Sequence, residues 1–143
     1  MALLLAIVLT LGVVIGSTAL HYEAIRALDR FARRSARVYP TLLLVISGLI
    51  GIHLIDIGAY AVLFALADGP LDLGDFVGAR PASPLGYFYT AAEAYTSLGY
   101  SNAAPTGAMR LVSAIAPLNG ILLLTWSGSF LFSLVEDWRN RGT

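Results

Sequence analysis

One short segment between two long apolar runs is rich in hydroxyl and amide side chains. The segment reads Thr96-Ser97-Leu98-Gly99-Tyr100-Ser101-Asn102 and continues with Ala103-Ala104-Pro105. Gly99 tolerates positive φ, and such freedom helps a backbone to point successive carbonyl groups the same way. Carbonyl oxygens in that arrangement can replace the water shell of an ion. Gly99 thus gives this segment one of the backbone positions that such an arrangement needs.

The segment resembles the selectivity filter of tetrameric potassium channels, whose core is Thr-Val-Gly-Tyr-Gly followed by Asp. Thr96 and Ser97 match the two hydroxyl residues at the start of the filter, and Gly99 and Tyr100 match directly. Leu98 stands where the family usually has Val or Ile. The resemblance implies that four chains bind K⁺ through the backbone carbonyls of Ser97, Leu98, Gly99 and Tyr100. Closed four-fold symmetry is the expected arrangement of such a homotetramer.

Two positions depart from the family's pattern at the outer end of the filter. Ser101 replaces the second glycine, and Asn102 stands where the family usually has Asp. A residue other than glycine at positive φ costs about 1–2 kcal/mol, and four chains repeat that cost. We therefore expect a cation pore whose preference for K⁺ over Na⁺ is weakened.

Glu93 precedes Thr96 by three positions and matches a glutamate that some members of the family place behind the filter. There it interacts with the Asp at the filter mouth. With Asn102 at that position, a hydrogen bond remains available but a proton shared between two carboxylates does not. We expect Glu93 to be buried behind the filter, and the alternative is a side chain that reaches extracellular water.

The composition excludes an ordinary soluble domain. The 143 residues are 57% hydrophobic and 13% charged, with a mean hydropathy of +0.75. A soluble domain carries about twice that charged fraction. The chain has no Cys, which excludes disulfides and thiolate metal sites. Three runs can each span a bilayer core of about 30 Å: 1–20, 41–67 and 108–135. The first lacks the basic start of a signal peptide, so we expect a retained transmembrane helix.

The charged residues predict the orientation of these spans. Arg26, Arg30, Arg33, Arg34 and Arg37 follow the first span, and two arginines lie in the tail 136–143, so both segments are expected in the cytoplasm. The loop 68–84 is mainly acidic and is expected outside, which also places the N-terminus outside. The arginine-rich segment is predicted to form a separate amphipathic helix on the lipid surface. The alternative of a voltage sensor fits less well because Glu23, Asp29 and Ser35 interrupt the segment.

A short helix is predicted just before the filter-like segment. Ser83 is a suitable N-cap and Pro84 suits the first turn. The helix would end near Tyr95, too short to cross a membrane. A short helix followed by a returning loop and a spanning helix predicts a re-entrant pore segment. The predicted fold is an all-α membrane protein with three transmembrane helices, a re-entrant pore helix and a selectivity-filter loop, assembled as a tetramer.

The predicted organisation has three parts. Residues 1–40 hold the first transmembrane helix and the arginine-rich helix. Residues 41–135 form the pore domain, with an outer helix 41–67, a pore helix 84–95, a filter 96–102 and an inner helix 108–135. Residues 136–143 form a cytoplasmic tail.

The third span carries the features expected of an inner helix. Arg110-Leu111-Val112 followed by Gly120 resembles the start of the pore-lining helix of potassium channels and its hinge glycine. Pro117 removes a helix hydrogen bond and is expected to kink the span, either as a gating bend or as a static feature. The residues expected to face or border the central cavity are Ile121, Leu124, Thr125, Gly128 and Phe132.

His53 and Asp56 lie three positions apart in the second span and so share one helical face. Two interpretations remain open: a proton-sensitive pair that tunes the pore, or a hydrogen-bonded cluster that packs this helix against its neighbours. A haem held by His21 and His53 is a further alternative. His21 is expected near the cytoplasmic surface and His53 about 18 Å along the second helix, which argues against that haem.

The sequence shows no Ser-His-Asp set and no metal-ligand cluster, so we expect no enzyme activity and no cofactor other than the permeant ion. The expected function is passive conduction of K⁺ across the cell membrane, with the lipid bilayer and further copies of the chain as partners and no nucleic acid. A non-selective cation channel and a non-conducting accessory subunit of another channel are the alternatives.

Overall fold

The computed structural model describes residues 1–35, 37–99 and 102–141. Along the chain lie α1 (Ala2–Arg34), α2 (Val38–Asp68), β1 (Phe76–Gly78), α3 (Pro84–Thr96), β2 (Ala103–Pro105) and α4 (Met109–Arg141). By length and composition, α1, α2 and α4 can each cross a membrane. The fold is thus compatible with a multi-pass membrane protein.

Helix α1 is longer than its apolar run. It continues as one helix to Arg34, whereas the sequence predicted a separate surface helix after about residue 20. Within the charged part, Arg26 pairs with Glu23 at 3.0 Å and Arg33 with Asp29 at 2.8 Å. These are i,i+3 and i,i+4 pairs, which stabilise a helix rather than end it. Only residues 35–37 separate α1 from α2, so the two helices form a hairpin.

The interior of the helix assembly has two apolar clusters. The larger lies where α2, α3 and α4 meet, around Phe64, Tyr95 and Val112. The smaller joins α1, α2 and α4 nearer the helix hairpin, around Val45 and Leu134. Between these clusters lie the polar side chains described below.

Large apolar side chains are exposed along all three long helices. Examples are Leu4, Ile15, Ile55, Val62, Leu122 and Phe132. Such a surface suits hydrocarbon or contacts with further subunits, because in water it would form extended apolar patches.

Helix α3 begins beside the C-terminal end of α2 and ends near its middle. Its N-cap is confirmed: the Ser83 hydroxyl accepts a hydrogen bond from the Gly86 N–H at 3.1 Å, and Pro84 is the first helical residue. Near its start, the Tyr87 hydroxyl donates to the Asp68 carboxylate in the last turn of α2. At its end, Tyr95 contacts His53, which lies about halfway along α2.

After α3 the chain returns to the end of the helix assembly at which α3 begins. Strand β2 pairs antiparallel with β1, so that Phe76 lies opposite Pro105 and Gly78 opposite Ala103. Gly78 has φ 93°, and a β-carbon there would lie 2.0 Å from the Asn102 carbonyl oxygen, so this close pairing requires glycine. The ribbon holds both ends of the α3 segment at one end of the assembly.

Candidate functional site

The loop after α3 contains two left-handed residues. Ser97 ends the helix with φ 61° and ψ 19°, and Gly99 has φ 63°. Leu98 between them does not have positive φ. The sequence identified Gly99 as a position for positive φ but not Ser97. The N–H groups of Ser97 and Leu98 donate to the Ala94 and Glu93 carbonyls at 3.2 and 3.1 Å, so the positive φ of Ser97 forms a C-cap of α3.

The loop lies on the surface of the chain. Ser97 and Gly99 are exposed, and Leu98 is 60% exposed although it is apolar. Asn102 is also exposed, directly before β2. Tyr100 and Ser101 lie outside the described residues, so their predicted places in a filter stay predictions.

The hydroxyl of Thr96 is engaged within its own helix. It donates to the Ala92 carbonyl at 2.6 Å, one turn earlier in α3. A hydroxyl bonded back to its own helix has satisfied its donor, although its oxygen keeps acceptor capacity.

Glu93 lies behind this loop, at a cavity of ≈ 190 Å³. The cavity is also lined by Thr90 of α3, by Ser97 and Gly99 of the loop, and by Pro117 of α4. The Oε2 atom of Glu93 is buried and has no hydrogen-bond partner among the described residues. The residue as a whole is half-buried, and the predicted role of Glu93 in supporting a filter stays a prediction.

The residues predicted to line a central cavity lie in two different environments. Five are exposed on α4: Ile121, Leu124, Thr125, Gly128 and Phe132. Gly120 instead is buried against α3, and Pro117 lies within a continuous α4 at the Glu93 cavity. The predicted roles of Pro117 and Gly120 in gating stay predictions.

A second group of polar side chains lies about halfway along α2, where α1, α2 and α4 meet. The Nε2 atoms of His21 and His53 lie 2.9 and 3.0 Å from the Ser127 hydroxyl oxygen. Nδ1 of His21 lies 3.5 Å from Oδ2 of Asp56. His21 and Asp56 are buried, and His53 is partly buried. The sequence predicted the neighbouring His53 and Asp56 but not their two partners.

The expectation that His21 and His53 lie at different depths was wrong. Their ring centroids are 4.9 Å apart. The error came from ending the first helix at about residue 20, which placed His21 at a surface. Because α1 continues to Arg34, His21 and His53 lie at comparable distances from the hairpin connection.

The haem alternative nevertheless does not fit this geometry. Two axial imidazoles must bind from opposite sides of a flat macrocycle. Here the Nε2 atoms of both rings approach the same hydroxyl oxygen, on Ser127. The rings converge on one side chain and leave no plane between them for a porphyrin.

A hydrogen bond joins this polar group to α3, and Asn119 forms a separate set of hydrogen bonds across α1, α2 and α4. Nδ1 of His53 lies 2.9 Å from the Tyr95 hydroxyl in α3. Asn119 donates through Nδ2 to Ser17 Oγ at 2.9 Å and to Tyr60 OH at 3.0 Å. The signal available in the sequence was the presence of hydroxyl and amide side chains within apolar helices, where such groups usually bond across helices.

The fold therefore defines a helical protein with three segments able to cross a membrane, an additional short helix and a surface loop of alternating φ. Comparison of the chain with protein-family models, with curated proteins and with solved structures gave no match.

Proposed function

We propose that this chain is a subunit of a passive cation channel that conducts K⁺ through a four-fold, carbonyl-lined pore. The observation that carries the proposal is the exposed loop Ser97 to Gly99, which follows the short helix α3 and has positive φ at Gly99, the position that the filter resemblance requires. A channel filter needs carbonyl oxygens presented successively toward one axis, where they take the place of water around the ion. The sequence resemblance falls on the same residues.

The course of α3 supports the same function. Irregular backbone at membrane depth is tolerated where it lines water or is buried in protein. Tyr95 brings the end of α3 to the middle of α2, and β2 returns the chain to the starting end. In a bilayer spanned by α2, the loop would lie at about mid-depth and open toward the side of the β-ribbon.

Enclosing an ion requires several copies, because one chain supplies one loop. The exposure of Ser97, Leu98 and Gly99 leaves the loop free to meet equivalent loops. The exposed face of α4, which includes Ile121 and Phe132, would then border the pore or a neighbouring subunit. Four-fold cyclic symmetry closes such an arrangement.

The distribution of charge supports an orientation. The arginine-rich end of α1 lies beside the C-terminal end of α4, where Arg33 pairs with Asp137 at 3.2 Å. The opposite end carries Asp68, Asp72 and Asp75. By the positive-inside rule the first end faces the cytoplasm, and the loop is reached from outside.

The test is the reversal potential of purified protein in a planar bilayer, with KCl on one side and NaCl on the other. A reversal near the K⁺ equilibrium value supports a potassium channel. A reversal near zero with chloride excluded supports the non-selective cation channel. An absence of current from tetrameric protein across voltage and pH contradicts conduction by the isolated chain and favours the accessory subunit.

A substitution at Ser101 tests the contribution of the filter backbone to selectivity directly. We expect Ser101→Gly to raise K⁺ over Na⁺ permeability, because glycine removes the steric cost of positive φ at a second filter position. Ser101→Ala is the matched control, since it removes the hydroxyl but keeps the β-carbon. Equal selectivity in all three proteins would contradict the argument from filter shape.

A further inference from the structure

Asp56 is a buried carboxylate whose environment is incomplete. Its side chain is 1% exposed, and neither carboxylate oxygen has a hydrogen-bond partner among the described residues. The imidazole nitrogen Nδ1 of His21 faces it at 3.5 Å and is likewise without a hydrogen-bond partner there. That separation exceeds the usual N–H···O range of about 2.7–3.2 Å. An isolated buried charge is strongly unfavourable, and either a protonated His21 or a bound cation would offset it.

The side chains around the Asp56 carboxylate are of the types that bind metal ions. His21, His53 and Asp56 can each offer one ligand atom, and the three atoms lie within 4.8 Å of one another. In a tetrahedral zinc site with ligand bonds of about 2.0–2.1 Å, two ligand atoms are about 3.3 Å apart. The 3.5 Å between His21 and Asp56 already approaches that separation.

Ser127 contacts the Nε2 nitrogen of both imidazole rings. Its hydroxyl oxygen lies 2.9 Å from Nε2 of His21 and 3.0 Å from Nε2 of His53. A hydroxyl has two lone pairs and can accept an N–H from both rings. In that arrangement Nδ1 of His21 keeps its lone pair for an ion, whereas Nδ1 of His53 accepts from the Tyr95 hydroxyl at 2.9 Å until that hydroxyl moves. A ligating histidine characteristically donates its other N–H to such an acceptor.

We propose that His21, His53 and Asp56 bind one divalent transition-metal ion, with Zn²⁺ as the best match, and that Ser127 orients both imidazoles. Two imidazoles and one carboxylate form a donor set typical of zinc with an open fourth position. Nδ1 of His53 now lies 2.9 Å from the Tyr95 hydroxyl, which would move aside or occupy that fourth position. The ion would link α1 to α2 within the helix assembly. This site does not depend on whether the loop conducts ions.

The test uses Co²⁺, a spectroscopic substitute for Zn²⁺, added to the purified chain in detergent. We expect one Co²⁺ per chain, a visible absorption band from four- or five-coordinate metal, and loss of that band when Zn²⁺ is added. The absence of such a band in folded protein that has been treated with chelator and reloaded would overturn the proposal.

Variants distinguish this site from adventitious surface binding. His21→Ala and Asp56→Asn should each abolish the band, whereas Asp72→Asn, a change at an exposed carboxylate, should preserve it. Ser127→Ala keeps all three ligands and should weaken Co²⁺ affinity about 10- to 100-fold, the usual effect of losing an orienting partner. Gel filtration and circular dichroism identify the variants that fold. A band that survives in folded His21→Ala or Asp56→Asn, or a Ser127→Ala affinity equal to that of the unchanged chain, overturns the assignment.

Discussion

Gly120 of α4 lies directly against the backbone of Tyr95 at the end of α3. A β-carbon at residue 120 would lie 2.0 Å from the Tyr95 carbonyl oxygen and 2.9 Å from its carbonyl carbon. Both atoms belong to the main chain, so a flexible side chain cannot simply move away. The absence of a side chain at Gly120 therefore sets how closely the two helices approach, immediately before the loop at Ser97.

We expect Gly120→Ala to destabilise the protein by about 1–3 kcal/mol, the typical cost of an extra methyl group in a packed interior. The measurement is the unfolding of detergent-solubilised protein, followed by circular dichroism during denaturant titration. Gly128→Ala on the same helix is the control, because its new β-carbon would have no atom within 4 Å. Equal unfolding midpoints for the two variants would contradict the close packing of α4 on α3.

Gly99→Ala tests the loop conformation through ion selectivity. Gly99 has φ 63°, where alanine is strained, although a β-carbon there would meet no atom of its own chain within 4 Å. We expect loss of K⁺ selectivity or of current in the planar bilayer, with a normal helical spectrum. Gly12→Ala, in the middle of α1 with open space around it, should conduct as the unchanged chain does. Unchanged selectivity in Gly99→Ala would argue against a carbonyl-lined pore at this loop.

Tyr87 should make the stability of the α2–α3 contact depend on pH at the alkaline end. Its hydroxyl donates to Asp68, and that hydrogen bond raises the pKa of Tyr87 above the usual value near 10. Because the pKa is higher in the folded state, the stabilisation is present below about pH 10 and is lost as pH rises through the raised pKa.

Between pH 8 and pH 11, the unfolding midpoint of the unchanged chain should therefore fall more than that of Tyr87→Phe. Tyr89→Phe, at an exposed position on the same helix, is the control and should follow the unchanged chain. Parallel pH profiles for Tyr87→Phe and the unchanged chain would show that the hydrogen bond contributes nothing measurable.

Asn119 should couple α1 and α2 to α4. Its amide donates to Ser17 and to Tyr60 from within the helix assembly. Hydrogen bonds between membrane helices average about 0.6 kcal/mol and reach about 1.7 kcal/mol. A double-mutant cycle of Asn119→Ala and Tyr60→Phe should give a coupling energy in that range. Strictly additive changes in unfolding free energy would show that the contact with Tyr60 is not formed.

Hydropathy and helix-capping rules predicted much of the helical fold. Three apolar runs predicted three long helices, and Ser83 with Pro84 predicted where the short helix begins, because a cap depends on local chemistry. The end of α1 was misplaced because the arginines were interpreted as a boundary. Glu23 and Asp29 instead pair with them along a continuing helix.

The polar centre was harder to predict, because its members are distant in sequence. His53 and Asp56 are close neighbours on one helix, but Ser127 and Tyr95 reach them only through helix packing. Periodicity identifies residues that share a face of one helix, yet it does not align the depths of different helices. The short β-ribbon was missed for a related reason: three residues per strand are too few for a recognisable alternation.

The connection between α1 and α2 is short. His21 and His53 therefore meet only if each lies at about the same distance from that connection along its own helix. Inserting one residue between His21 and Arg34 would rotate His21 by about 100° and shift it by about 1.5 Å relative to the hairpin end. The ring would then leave Ser127 and Asp56. An insertion or deletion in the second half of α1 keeps these contacts only if it comprises a whole heptad, which is about two helical turns. A change of the same length is then required in α2, between Val38 and His53. Homologous chains that keep both histidines should therefore vary little in length across the hairpin, whereas the far end of α1 is free of that constraint.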